Sequence, residues 1–200
     1  MKIDLKTFLR NNFANIISLA TVPFALSAFY YIFLGNFFLS FLFINIAFFL
    51  DTLDGYFARR LKIESTMGKL LDSFCDVINY LIYPALFIYK FFTFDFLTVV
   101  VISSFIVIFG IVRLARFTNE GFVIKEGKNY YKGLPVPVVL YGTVICYVLY
   151  DKFIPNLMTY FFPAIMIILS LLMVSTVKVK KINNVYWYFL VLIGLLLLSL

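Results

Sequence analysis

Histidine is absent from this chain of 200 residues. That excludes His-based triads, histidine zinc sites and imidazole acid–base catalysis, and leaves carboxylates as the proton acceptors. Cysteine is scarce, and neither Cys75 nor Cys146 stands in a metal-binding or redox spacing. Both read as small apolar residues. Charged residues make up only 14% of the chain. Internal repeats, low-complexity linkers and an activated serine nucleophile are all missing from the pattern.

What fills the chain instead is hydrocarbon. Hydrophobic residues reach 64% and the mean hydropathy is +1.01, far above the usual apolar share of soluble domains. Apolar runs near 20 residues recur along the whole length. The expectation is one all-α, polytopic membrane domain over residues 1–200. Residues 2–12 read as a short interfacial helix with Lys2, Lys6 and Arg10 toward headgroups. A signal peptide is the poorer reading, since the apolar run behind is too long and no small-residue cleavage site follows. Spans are expected near residues 13–34, 37–61, 65–91, 96–117, 133–150 and 157–176, with a seventh, shorter one at 185–200. A polar loop is expected at 118–132 and a basic one at 178–181.

The formal charge is +7. In a soluble protein this would raise nucleic acid as a partner, but here the basic residues lie beside spans, which points to orientation and anionic headgroups. With the N-terminus in the cytoplasm, Lys90 and Lys152 fall outside and the other 15 of 17 Lys and Arg fall on the cytoplasmic side. The expected location is the cytoplasmic membrane.

Four of the ten acidic residues lie in two short segments, Asp51–Arg59 and Gly68–Asp76, set in otherwise very apolar sequence. Asp51 and Asp54 are three apart, and Asp72 and Asp76 four apart, so on helices each pair shares a face. The few residues from Leu61 to Ser65 make the two helices antiparallel neighbours, and the four carboxylates converge. Such a cluster must hold protons or cations, because desolvating each carboxylate costs several kcal/mol. Four carboxylates suit two hard divalent cations, Mg2+ or Mn2+, in the arrangement used on phosphate substrates. The site then faces the cytoplasm, within reach of a nucleotide. Gly55, Ala58 and Gly68 are small inward-facing residues, suited either to close helix packing or to close approach by a ligand. Arg59 suits a phosphate or its own helix C-terminus. Arg113 and Arg116 share a face at the inner end of the fourth span, and their forks suit carboxylate or phosphate.

From Asp51 to Asp76 the pattern D-x2-D-G-x2-A-R-x8-G-x3-D-x3-D runs without a mismatch. It resembles the signature of the CDP-alcohol phosphotransferases, membrane enzymes of phospholipid synthesis. The stretch Arg113-Leu-Ala-Arg116-Phe-Thr-Asn119 followed by Tyr130-Tyr-Lys132-Gly133-Leu-Pro135-Val-Pro137 is similar to the phosphatidylserine synthase branch. Thr118 departs from it where Asn is usual, and Tyr131 where Phe is usual. The resemblance covers roughly residues 13–137. It implies that Asp51, Asp54 and Asp72 hold the metals, that Asp76 is the general base and also reaches the second metal, and that the protein is a homodimer. It further implies that Gly55, Ala58, Arg59 and Gly68 bind the CDP-lipid, whether CDP-diacylglycerol or CDP-archaeol. Asn15 and Ser18 resemble polar residues found early in the family, with Ala14 where proline is usual; either helps close the nucleotide site or sits as a buried polar group between helices. L-serine is the implied acceptor, with Arg113, Arg116 and Lys132 as candidates for its carboxylate. Glycerol 3-phosphate or inositol phosphate is the alternative acceptor. A divalent-cation transporter is the alternative of another class, though it would spread polar or broken positions over several spans, whereas here the acids crowd one hairpin.

Overall fold

Long apolar runs punctuated by Gly, Asn, Asp, Ser and Pro become long helices with short turns. The computed structural model describes residues 5–63, 65–125 and 128–180, and for 5–11, 123–125 and 128 the backbone alone. Helix α1 is Leu5–Phe33 and α2 is Phe37–Leu61. A single rod, Thr66–Phe91, follows. It comprises α3 (Thr66–Asp76), a π-helical segment (Val77–Ile82) and α4 (Tyr83–Phe91). Then come α5 (Phe96–Glu120), α6 (Pro137–Lys152) and α7 (Pro155–Val174).

Among the described residues, five helices are long and apolar enough to cross a membrane: Asn12–Phe33, Phe37–Leu61, Thr66–Phe91, Phe96–Glu120 and Pro155–Val174. The chain is an all-α, polytopic integral membrane protein. Helix α6 has 16 residues, short of a full span. It starts later than position 133 because Gly133 takes positive φ (+86°) and Pro135 biases Leu134 away from helix, and Pro137 then opens the first turn. The expected interfacial helix is not a separate element: from Leu5 the chain runs unbroken into the first span. The expected seventh span, 185–200, lies outside the described residues.

The core is built from small and aromatic residues. Ala25 and Ala28 of α1, Phe41, Ile44 and Ala47 of α2, Phe87 and Ile88 of α4, and Phe162 and Met166 of α7 are fully buried or nearly so. Phe37 meets Phe87, Phe91 and Tyr147 with ring centroids 5.8, 6.1 and 5.2 Å away. Each such pair adds about 0.5–1.5 kcal/mol beyond area burial. The outer faces carry Leu26, Phe74, Leu97, Ile108 and Ile168, all exposed, which suits lipid and not water.

The π segment has a visible cause. Pro84 has no N–H to give to the carbonyl one turn back, and its ring crowds that carbonyl. Helix α5 presses against the segment at Gly110, where a Cβ would lie 2.3 Å from Leu81 Cδ2.

One feature departs from the expected loops. Helix α5 continues to Glu120, and the segment after it forms strands β1 (Val123–Lys125) and β2 (Lys128–Lys132). Strand β3 (Lys178–Lys180) completes an antiparallel sheet of order β1-β2-β3, with Val123 opposite Tyr130 and Tyr131 opposite Val179. The Tyr131 ring packs on Phe117 and Phe122, at 5.8 and 5.1 Å, and so fixes the sheet to the end of α5.

Candidate active site

Two caps build the acidic hairpin. Helix α2 ends at Lys62, which takes the left-handed conformation (φ 55°), and the N–H of Ile63 returns to Ala58 O at 3.0 Å. Ser65 opens α3 by accepting the Gly68 N–H at 2.9 Å. Such caps satisfy backbone groups that helix ends leave orphaned. The two helices are not packed side by side as the short turn suggests: α3 packs on α1 and α5, and from there Asp72 and Asp76 face Asp51 of α2.

Asp51, Asp72 and Asp76 each bring one carboxylate oxygen within 4.8 Å of the others. Asp54, one turn further along α2, lies at the edge of this trio and interacts electrostatically with Asp51 and Asp72. Its Oδ2 accepts a short hydrogen bond from Ser18 Oγ of α1. Among the described residues none of the four forms an ion pair; Lys132 with Glu120 does, at 2.9 Å. Pairing with Arg59, Arg60 or Lys69 therefore does not account for these acids.

The trio fits a hard divalent cation. Asp51 Oδ2 accepts from Tyr80 Oη at 2.8 Å. Its other oxygen, Oδ1, is buried with no hydrogen-bond partner among the described residues. A buried, unpaired carboxylate oxygen in a half-buried cluster of like charges is costly unless it is neutralised. Carboxylate oxygens are the donor set that Mg2+ and Mn2+ prefer.

The positions expected to take the nucleotide are closely packed on one another. A Cβ on Gly68 would sit 2.9 Å from Asn15 Oδ1 and 3.1 Å from Ser65 Oγ, so α1 and α3 approach there too closely for a side chain. The Arg59 guanidinium reaches back over Gly55, with Nη1 3.4 Å from an ideal Cβ, and acts electrostatically on Asp54 and Asp72. Ala58 is half-buried on the same helix.

The expected acceptor residues divide. Arg113 is buried, with 4% of its surface exposed. Its guanidinium lies over Phe117 and Tyr131, at 5.0 and 5.6 Å, and acts electrostatically on Asp72 and Asp76. Arg116 is engaged elsewhere: it donates to the carbonyls of Val174, Lys132, Met173 and Ser175, at 2.8, 2.7, 3.1 and 3.2 Å. Most of its donors fasten β2 to the end of α7. Lys132 pairs with Glu120 at the surface. The structure thus brings Arg113, and not Arg116 or Lys132, into electrostatic contact with the carboxylates. Thr118 bonds Ser73 of α3 at 2.9 Å, tying α5 to the acidic helix, while Asn119 is exposed.

Several supporting residues carry no signal in the sequence. Thr21 donates to Ser18 O at 2.7 Å and Asn79 Nδ2 donates to Thr21 Oγ1 at 3.1 Å, so a buried polar chain links the π segment through α1 to Asp54. Tyr80 is one residue away and 1% exposed. Each reads as an ordinary residue in an apolar run until the helices are placed side by side.

The sequence matches the CDP-alcohol phosphatidyltransferase family over residues 11–177. A CDP-diacylglycerol–serine O-phosphatidyltransferase of Helicobacter pylori is 32% identical over 141 residues, covering 69% of this chain and 59% of that protein. An archaetidylserine synthase of Methanothermobacter thermautotrophicus is 34% identical over 138 residues, covering 67% and 54%. A CDP-diacylglycerol–serine O-phosphatidyltransferase of Methanocaldococcus jannaschii is 30% identical over 164 residues, covering 79% and 72%. The match thus extends over 59% and 54% of the lengths of the Helicobacter and Methanothermobacter proteins. Family match, apolar helices and clustered carboxylates agree, and the chain belongs to the CDP-alcohol phosphatidyltransferase family.

Proposed function

We propose that this protein transfers a phosphatidyl or archaetidyl group from a CDP-lipid to the hydroxyl of L-serine, releasing CMP. The observation that supports this most is the trio Asp51, Asp72 and Asp76, within 4.8 Å of one another and with Arg113 acting on Asp72 and Asp76. The names of the bacterial and archaeal relatives favour serine as the acceptor.

Asp51, Asp54, Asp72 and Asp76 are the residues that would hold divalent cations. Two such ions, Mg2+ or Mn2+, would supply positive charge to offset that of the diphosphate and of the departing CMP. Asp76 accepts the proton of the serine hydroxyl as that oxygen bonds to the lipid phosphorus and the bond from phosphorus to CMP breaks. Asn15, Gly55, Ala58, Arg59 and Gly68 would meet the pyrimidine and its diphosphate, with Arg59 toward a phosphate. Ser18 keeps Asp54 oriented. Arg113, whose aromatic neighbours restrict it, takes the serine carboxylate in a two-pronged contact. Arg116 and Lys132 act indirectly, by holding the strand that carries Tyr131. Their engagement leaves little free positive charge for a phosphorylated acceptor and favours serine over glycerol 3-phosphate or inositol phosphate. The site faces the cytoplasm, on the side where the Lys and Arg concentrate, and the working form is a homodimer in the cytoplasmic membrane.

The test is CMP release by purified protein in detergent, supplied with CDP-diacylglycerol and either serine or glycerol 3-phosphate. The expected result is release with serine alone, lost on chelation and restored by Mg2+ or Mn2+. Release with glycerol 3-phosphate alone would overturn the choice of acceptor. No release, together with cation flux into proteoliposomes lacking CDP-lipid, would replace the enzyme by a transporter.

A further inference from the structure

The hydroxyl of Tyr80 stands 2.8 Å from Asp51 Oδ2, inside the protein, on a different rod from the carboxylate it touches. We propose that Tyr80 is a positioning residue that fixes Asp51 as a one-oxygen ligand, and so sets the preference of the site for small divalent cations over Ca2+. The proposal rests on the cation reading above.

Three observations carry it. First, the two oxygens of Asp51 are in different situations. Oδ2 is occupied by the phenol, and Oδ1 is buried without a partner among the described residues. With Oδ2 in use, Oδ1 is the oxygen left to face an ion. Second, the phenol has little freedom to move away. Tyr80 is 1% exposed, and its ring meets Phe48 edge to face at 6.0 Å, while Phe48 meets Tyr141 at 5.6 Å. Third, the backbone beneath it is held: the adjacent Leu81 is pressed against Gly110 of α5. A residue in the π segment is therefore clamped on both sides and aimed at a side chain of α2.

The chemistry follows from what the two kinds of ion require. Ca2+ takes six to eight oxygens at about 2.3–2.6 Å and readily uses both oxygens of one carboxylate. Mg2+ demands a near-octahedral set at about 2.0–2.1 Å and takes one oxygen from each carboxylate. A hydrogen bond to Oδ2 competes with the two-oxygen option at Asp51, since it uses one of that oxygen's lone pairs, and leaves the one-oxygen option in place. It also holds the carboxylate in one orientation before an ion arrives. Partners of this kind, behind the ligand itself, typically change metal affinity by about 10–100-fold when removed.

Replacing Tyr80 by Phe keeps the ring and deletes the hydroxyl. The experiment titrates Mn2+ into the purified full chain in detergent and follows free Mn2+ by electron paramagnetic resonance, with Ca2+ as competitor. The proteins compared are wild type, Tyr80→Phe and Asp51→Asn. Tyr80→Phe is expected to weaken Mn2+ binding roughly 10–100-fold while Ca2+ weakens less, so that the ratio of the two narrows. Unchanged Mn2+ binding in Tyr80→Phe, with binding lost in Asp51→Asn, overturns the proposal and leaves the cation reading standing. Equal losses for Mn2+ and Ca2+ also overturn it, because a general loosening of the fold would produce that pattern. Absence of Mn2+ binding in the wild type overturns the cation reading itself, and this proposal with it. If Tyr80→Phe does not fold, Phe48→Leu, which frees the ring without touching the hydroxyl, carries the same expectation and the same refutations.

Discussion

Replacing Gly133 by alanine should loosen the joint between β2, α5 and α7. Gly133 has φ +86°, and a Cβ there would lie 2.1 Å from the Met173 carbonyl oxygen and 2.8 Å from Arg116 Nη2. The nearest obstacle is backbone, which cannot swing aside as a side chain can. The loop must move out, and two bonds go with it: Gly133 N–H to Val177 O at 2.8 Å and Leu134 N–H to Leu172 O at 3.0 Å. The left-handed conformation costs a residue with a Cβ about 1–2 kcal/mol, and each lost bond adds about 0.5–1.5 kcal/mol. The sum is roughly 2–5 kcal/mol. Gly121 supplies the control. It also has positive φ, +67°, but nothing lies within 4 Å of its ideal Cβ, so Gly121→Ala carries the strain without the collision. Thermal unfolding in detergent compares the two, at about 2–4 °C per kcal/mol for a chain of this size. Gly133→Ala should melt several degrees below Gly121→Ala and lose CMP release, since Tyr131 and the Arg113 beneath it lose their support. Equal melting temperatures would refute the reasoning, because the collision would then have no consequence.

Asp76→Asn should lower CMP release by at least about 10²–10⁴-fold, the usual range for losing a general base, and weaken Mn2+ binding as well, since Asp76 belongs to the trio; a rate matching wild type would remove Asp76 from the reaction. Gly110→Ala should destabilise by about 1–3 kcal/mol through overpacking against Leu81, since its Cβ would come 2.3 Å from Leu81 Cδ2. Combining it with Leu81→Ala should return part of that loss, and strictly additive melting shifts would argue that the two positions do not meet.

Much of the architecture could be read from the chain alone, because length and apolarity dominate in a membrane. The bounds of α2 match the expected 37–61, and the rod and α5 begin within a residue of expectation. The acidic hairpin was legible because spacings of three and four residues place side chains on one helical face regardless of context. Asp54 shows the limit of that rule: it shares the face of Asp51, yet Ser18 draws it to the edge of the cluster. Arg116 shows another. Its spacing from Arg113 predicts a shared task, but the carbonyls that engage it come from residues 173–175, across a long separation that no local pattern records. The sheet was missed for the same reason. Its strands are three to five residues long and rich in lysine, and β2 pairs with β3 only after α6 and α7 have brought them together.

The π segment between Val77 and Ile82 has one more consequence for the rod that contains it. An ordinary helix advances about 100° per residue, so the wider turn sets the half bearing Asp72 and Asp76 out of step with the half bearing Phe87 and Ile88. Excising one residue there would restore regular pitch and swing one end by about that angle relative to the other. Either the acids would face lipid or the aromatic rings would, and this short stretch of irregular winding is what lets a single rod satisfy both neighbourhoods.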